Sequence, residues 1–259
     1  MGSLEKCHAE LQAVLGKSIE LEPVEVLQIV DKHRQFWRPE KVKTILLAES
    51  HVYTLKEETT RTIEFPDNVF STAPKSFVRL VYCLGYGEND LLQSSTSGPN
   101  PPNAGTPQFW QVFYSCVNRV NGNEDFAGVQ KTRTPDLHQR IQNKLQLLEK
   151  LKQKGIWLVD GSLAALYLPG KPKPSPEVLE QALQTSWDFY VREQVVQAKP
   201  EQIICIGNGV HRSFDSRLKN AVSCPVTPVK QPNARMNILE RLQTFKTYFE
   251  ICNGITNEN

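Results

Sequence analysis

A chain of 259 residues with 39% apolar and 22% charged side chains can bury a full core, and it lacks the charge-rich, apolar-poor makeup of a disordered protein. Thirty basic against 28 acidic residues leave a net charge of +2, which argues against strong nonspecific polyanion binding, though not against a local basic patch. The six cysteines, Cys7, Cys83, Cys116, Cys205, Cys224 and Cys252, contain no Cys-x-x-Cys pair and no clustered histidine partners, so structural zinc and iron–sulfur ligation have no spacing support and no cofactor is expected. Scattered cysteines suit a reduced, intracellular protein, cytoplasmic or nuclear. The first eight residues lack the apolar core of a signal peptide, and no apolar run approaches the ~20 residues of a membrane span, so no membrane partner is expected.

Leu4, Cys7, Leu11, Val14 and Leu15 recur at helical spacing between Ser3, a candidate N-cap, and Gly16, a stop. A second helix is predicted from Pro23, carrying Val26, Leu27, Val30 and Phe36 and ending before Pro39. Thr44–Ala48 is a short apolar, partly β-branched run with the length of one buried strand, and it stops abruptly at Glu49, Ser50 and His51. Residues 55–74, with Pro66, Asp67, Asn68 and Pro74, read as a surface excursion. Residues 76–84 fit either strand or helix up to Gly85 and Gly87. Residues 94–107 form a Pro/Gly/Ser/Asn loop, either a flap over a site or a plain insertion.

Thr106 and Pro107 open a helix whose Phe109, Trp110, Val112, Phe113, Cys116 and Val117 make a wide apolar face, read as core more than as a stacking platform. Thr134 and Pro135 start another, with Leu137, Ile141, Leu145, Leu148 and Leu151 inward and Gly155 at its end. Residues 156–159 are a second strand, closed by Asp160. Lys171-Pro-Lys-Pro-Ser-Pro is a stiff basic linker, and Ser175-Pro176 opens a long helix through Leu179, Leu183, Trp187, Val191 and Val195. Residues 203–206 are a third strand running into Gly207-Asn208-Gly209, a turn able to receive a phosphate but without the third glycine of a dinucleotide fingerprint. Val226–Val229 reads as an edge strand leading to Gln231, and residues 237–252 as a last helix burying Ile238, Leu242, Phe245 and Phe249. Strands alternating with helices predict an α/β fold, a three-layer αβα sandwich around a four-stranded parallel sheet, in a single domain with residues 1–39 packing on it as helices.

Ala48-Glu49-Ser50-His51-Val52 at one strand end, Asp160 at the next, the turn at Gly207 and Gln231-Pro232-Asn233-Ala234 at the last resemble, in order and spacing, the uracil-DNA glycosylase superfamily over about residues 40–245. That family has a first motif such as Gly-Gln-Asp-Pro-Tyr and a last motif His-Pro-Ser-Pro. The resemblance places Ser50 where family members carry a water-orienting Asp or Asn, Gln231 where they carry an oxyanion-stabilising His, and Asp160 where they carry a base-reading Asn. It implies Glu49, Ser50, His51 and Gln231 as catalytic residues, and Val52, Tyr53, Phe77, Asp160, Asn233 and Arg235 as substrate-binding ones. Within it, Glu49 or His51 orients a water, Phe70 or Phe77 stacks on a base, and Arg235 with Met236 forms a wedge.

An ionised Asp160 only accepts hydrogen bonds, which favours a ring presenting N–H donors over the O4 of uracil; the same residue also suits an N-cap for a helix over 162–168. The expected function is therefore a DNA glycosylase-like hydrolase for a base that need not be uracil. The alternative is an inactive nucleobase-, nucleotide- or protein-binding module on the same fold. A basic rim from Lys171, Lys173, Lys230 and Arg235 would favour DNA as partner. A monomer is expected.

Overall fold

The computed structural model describes residues 3–65, 72–93, 107–168, 171–231 and 234–255. Phe70, Pro232, Asn233 and all but the last residue of the 94–107 loop lie outside them.

Four short strands form one parallel sheet: β1 (Thr44–Ala48), β2 (Ile156–Asp160), β3 (Gln202–Ile206) and β4 (Val226–Val229), in the order β2-β1-β3-β4. Every residue of β1 and β2 is buried, because parallel strands joined by crossover helices are covered on both faces and so read as continuous apolar runs. Central β1 sets the register, with Ala48 opposite Asp160 and Leu47 opposite Cys205. Pro228 removes a ladder donor from β4, which accordingly takes the edge.

The helices are α1 (Leu4–Leu15), α2 (Val24–Phe36), α3 (Pro107–Val117), α4 (Leu137–Lys154), α5 (Pro176–Ser186), α6 (Arg192–Ala198), α7 (Asn208–Ala221) and α8 (Ile238–Cys252). They pack in two groups, α3 with α4 and α8, and α1 with α2 and α5, which in turn meets α7. This is an α/β fold consistent with a three-layer sandwich. Cys7, Leu11 and Leu15 of α1 and Val26, Leu27 and Val30 of α2 belong to the same buried cluster as the strands. Ser3 caps α1 by accepting from Lys6 N at 3.0 Å, and Gly155 ends α4 in the left-handed region at φ 77°.

Several expectations are corrected. The helix expected from Thr134 starts later, with Asp136 accepting from Gln139 N as its cap. The long helix after Ser175 runs to Ala198 as expected, but takes a π-helical turn over Trp187–Val191. Residues 76–84 are neither strand nor helix but a chain of turns, tied to the 62–63 segment by a bridge from Ser76 to Thr62. Residues 162–168 form no helix, so Asp160 is not an N-cap. Val14 and Ile238 point outward, Ile238 with 78% of its surface exposed; α8 buries Phe245 as expected, adds Tyr248, and leaves Leu242 and Phe249 half-buried.

Candidate functional site

In the strand order β2-β1-β3-β4 the chain leaves β1 toward one neighbour and reaches β3 on the other, and the carboxyl ends of strands at such a switch point leave a crevice. A cavity of about 280 Å³ lies there. Glu49, Ser50, His51 and Val52 after β1, Asp160 at the end of β2, Ile206 at the end of β3 and Gln231 after β4 all line it. Arg79, Leu80 and Val81 from the turn segment, Gln108 and Phe109 from the first turn of α3, and Tyr167 and Lys173 complete the wall.

The polar side chains on this wall are held differently. Glu49 accepts a hydrogen bond from the Tyr167 hydroxyl, and Ser50 Oγ accepts from Leu166 N at 3.3 Å. Gln231 donates from Nε2 to Ile206 O at 3.4 Å and packs on Gly207. Gly207 has φ 102°, and a Cβ there would stand 3.0 Å from Gln231 Cγ and Nε2, so only glycine admits this approach. Gln231 thus leans on the turn that the sequence suggested as a phosphate cradle.

His51 is corrected as a water-orienting base. Its ring is buried between two carboxylates, with Nε2 2.9 Å from Glu22 Oε2 and Nδ1 3.3 Å from Asp160 Oδ2, the second contact lacking hydrogen-bond alignment. Glu22 is itself tied to backbone, accepting from Thr54 N at 2.7 Å and Ala165 N at 3.0 Å. Burial would depress the imidazole, but the Glu22 carboxylate overrides it and, with Asp160, pushes His51 up to about 9. Asp160 Oδ2 also accepts from Arg34 Nη2 at 2.7 Å. Burial alone would raise this carboxyl; Arg34 and His51 instead hold it below the ordinary range. A row of alternating charge, Glu22, His51, Asp160, Arg34 and the half-buried Asp31, therefore runs behind the cavity, and its interior members His51 and Asp160 line the wall.

Five other expected positions fall away from the cavity or outside the described residues. Tyr53 is buried with its hydroxyl donating to Glu20 Oε1 at 3.0 Å. Phe77 is core, edge-on to Tyr86 at 6.5 Å between centroids. Arg235 is exposed and does not line the cavity, Met236 receives the Thr244 hydroxyl at its sulfur, and Asn233 lies outside the described residues. Phe109 and Tyr167 are the rings on the wall. Of the four cations expected at a basic rim only Lys173 lines the cavity, and Lys230 instead sits 3.7 Å from Glu240.

Arg34 and Glu22 were missed. Arg34 had a signal, since Leu27, Val30 and Arg34 fall on one stripe of α2 and a cation on an apolar stripe needs a buried partner. Glu22, just before Pro23 in no periodic pattern, had none. Among the described residues no cluster of three His, Cys, Asp or Glu side chains is placed to hold a metal ion, and no helix is long and apolar enough to cross a membrane. Neither a family model nor a curated protein matches the sequence.

Proposed function

We propose that the cavity binds a nucleobase and that the protein is a hydrolase of the uracil-DNA glycosylase type, cleaving the N-glycosidic bond of a base other than uracil. One observation carries this reading: Glu49, Asp160 and Gln231, from the ends of three different strands, share one cavity whose other walls include Leu80, Val81, Phe109, Leu158 and Ile206. Small-molecule sites run from ~300 to 1,000 Å³, so about 280 Å³ suits one ring system rather than a dinucleotide. Phe109 and Tyr167 supply aromatic surface for a flat ring.

In this reading Glu49, held by the Tyr167 hydroxyl rather than by a cation, orients a water and takes its proton as the water oxygen attacks the sugar C1′. The C1′–N bond breaks, its electron pair leaves with the base, and the Gln231 amide donates to the departing anion. Asp160 accepts from the ring's N–H or amino edge. DNA is the proposed source of the base.

A second reading, a nucleobase- or nucleotide-binding module without cleavage, is favoured by the sparse cationic rim and by the uncharged donor Gln231. Duplex and single-stranded oligonucleotides carrying uracil, hypoxanthine, xanthine or alkylated bases, incubated with the protein and then alkali, separate the two. Strand scission at a modified base, lowered about 10²- to 10⁴-fold by Glu49→Gln, supports the hydrolase. Calorimetric binding of free bases without scission supports the module, and neither result sinks both.

A further inference from the structure

The Asp160 carboxylate is gripped from behind. Both contacts land on one oxygen, Oδ2, with Arg34 Nη2 at 2.7 Å and His51 Nδ1 at 3.3 Å, while His51 is in turn braced by Glu22 at 2.9 Å. Arg34, His51 and Glu22 have side chains no more than 4% exposed, so water does not compete for these contacts. Protonating Asp160 would leave the buried Arg34 guanidinium with Asp31 at 3.4 Å as its remaining carboxylate, and an uncompensated buried charge is strongly unfavourable. With Oδ2 committed, Oδ1 is the oxygen left to meet a ligand.

We infer that Arg34 and the Glu22–His51 pair are positioning residues that fix Asp160 as an acceptor-only wall, so that the cavity takes amino-bearing heterocycles, aminopyrimidines or aminopurines, and rejects rings with a carbonyl at that edge. The inference rests on the base-binding reading above. A neutral carboxylic acid can donate to a carbonyl, whereas a carboxylate cannot, so discrimination follows from keeping the proton off. The other ionisable groups around Asp160 do not supply that proton. Burial pushes the Tyr82 phenol up, and its oxygen accepts from Leu158 N at 2.8 Å. Burial also pushes Tyr190, beside Asp31 and Arg34, up.

The test pairs two readouts on the full chain. Carboxyl ¹³C NMR, with the Asp160 signal assigned by its loss in Asp160→Asn, follows ionisation without any ligand. Calorimetry with cytosine against uracil, and adenine against hypoxanthine, follows selectivity. In wild type Asp160 stays ionised from neutral pH down into the ordinary carboxylate range, and the amino ring binds roughly 10- to 100-fold tighter than its carbonyl counterpart throughout. In Arg34→Gln the carboxyl titrates at higher pH and the ratio collapses toward one as pH falls; His51→Asn gives a smaller shift the same way and serves if Arg34→Gln does not fold.

Wild-type Asp160 titrating above the ordinary carboxylate range, or unmoved by both variants, overturns the grip. Uracil binding as tightly as cytosine while Asp160 is ionised overturns the selectivity. No ring binding at all, with the NMR titration as expected, overturns the base-binding reading and the selectivity built on it, and the ligand-free titration tells that failure apart from failure of the grip.

Discussion

Two buried charge clusters among the described residues differ in whether they close. Glu88, Arg140 and Lys144 have side chains at most 6% exposed. Arg140 Nε and Nη2 reach the two oxygens of Glu88 at 2.7 and 2.6 Å, Lys144 Nζ adds a third contact at 2.6 Å, and the ammonium also sits 4.9 Å from the centre of the Trp110 ring. Arg140 spends further donors on the carbonyls of Thr134 and Pro135. That cluster fastens the segment before Asn89–Leu91 to α4 and lines no part of the cavity. The Glu22–His51–Asp160–Arg34 row is just as deep, but its two middle members, His51 and Asp160, line the cavity, and His51 Nδ1 is left without an aligned bond. Shifted ionisation is common to both, so the face open to the cavity, rather than the shift, marks the candidate site.

The largest effect should come from opening the closed cluster. Glu88→Ala leaves Arg140 and Lys144 buried without their carboxylate, which typically costs about 3–5 kcal/mol. Urea unfolding should show that loss while the base affinity of the folded fraction stays at the wild-type value. A matching loss of affinity would mean that the two clusters are coupled. Changing the cavity itself should do the reverse. Gln231→His supplies a donor able to carry charge beside the departing base, and one well-aimed donor is worth about 10²- to 10³-fold, or roughly 2.7 to 4 kcal/mol, in rate. Oligonucleotide scission should rise with little change in the unfolding midpoint.

The pH dependence of stability distinguishes the clusters next. His51 is raised from 6.5 to about 9, so its stabilising protonation is complete below pH 6.5 and is lost as pH climbs through about 9. The loss over that window is of the order of 3 kcal/mol. Glu88 and Asp160 are lowered despite burial, by Arg140 and Lys144 and by Arg34 and His51 respectively. Their contributions are present above the ordinary carboxylate range and disappear only in acid. Lys144, lowered by burial, pulls against His51 on the alkaline side, so the informative quantity is wild type minus Glu22→Gln. Thermal melts from pH 6 to 10 should show an alkaline decline that Glu22→Gln removes; a decline of equal size in both would exclude His51 as its source.

What the sequence made legible follows from range. The strands were readable because Thr44–Ala48 and its three counterparts are short apolar runs whose ends are polar, and a parallel sheet brings such ends together without further information. Glu49, Ser50, His51, Asp160 and Gln231 could therefore be expected to share one pocket, and all five line the cavity. Arg34 was not paired with Asp160 because 126 residues separate them, and periodicity tells which face of α2 is buried, not what it meets. Phe109 was taken for core because its helix is apolar over a wide arc and only the position of α3 at the strand ends turns this first-turn residue toward the cavity. His51 was misread through its neighbours in sequence: adjacent residues at a strand end point apart, and this one points inward to Glu22.

The smallest effect concerns the turn that carries the open wall. Gly207 holds φ 102° with Gln231 packed on its Cα, whereas Gly209, two residues on in the first turn of α7, has nothing within 4 Å of a built Cβ. Gly207→Ala forces a residue into a disfavoured backbone region, at a cost of about 1–3 kcal/mol. It also pushes Gln231 off the cavity wall, so base affinity should fall with stability. Gly209→Ala replaces a helical glycine in open space and should be neutral or stabilising by up to about 1 kcal/mol, with binding unchanged. Urea unfolding and base calorimetry on both variants check the pair. If Gly207→Ala loses stability yet binds a base as wild type does, Gln231 is only a prop for the turn, and the donor to the departing base must come from another group on the wall.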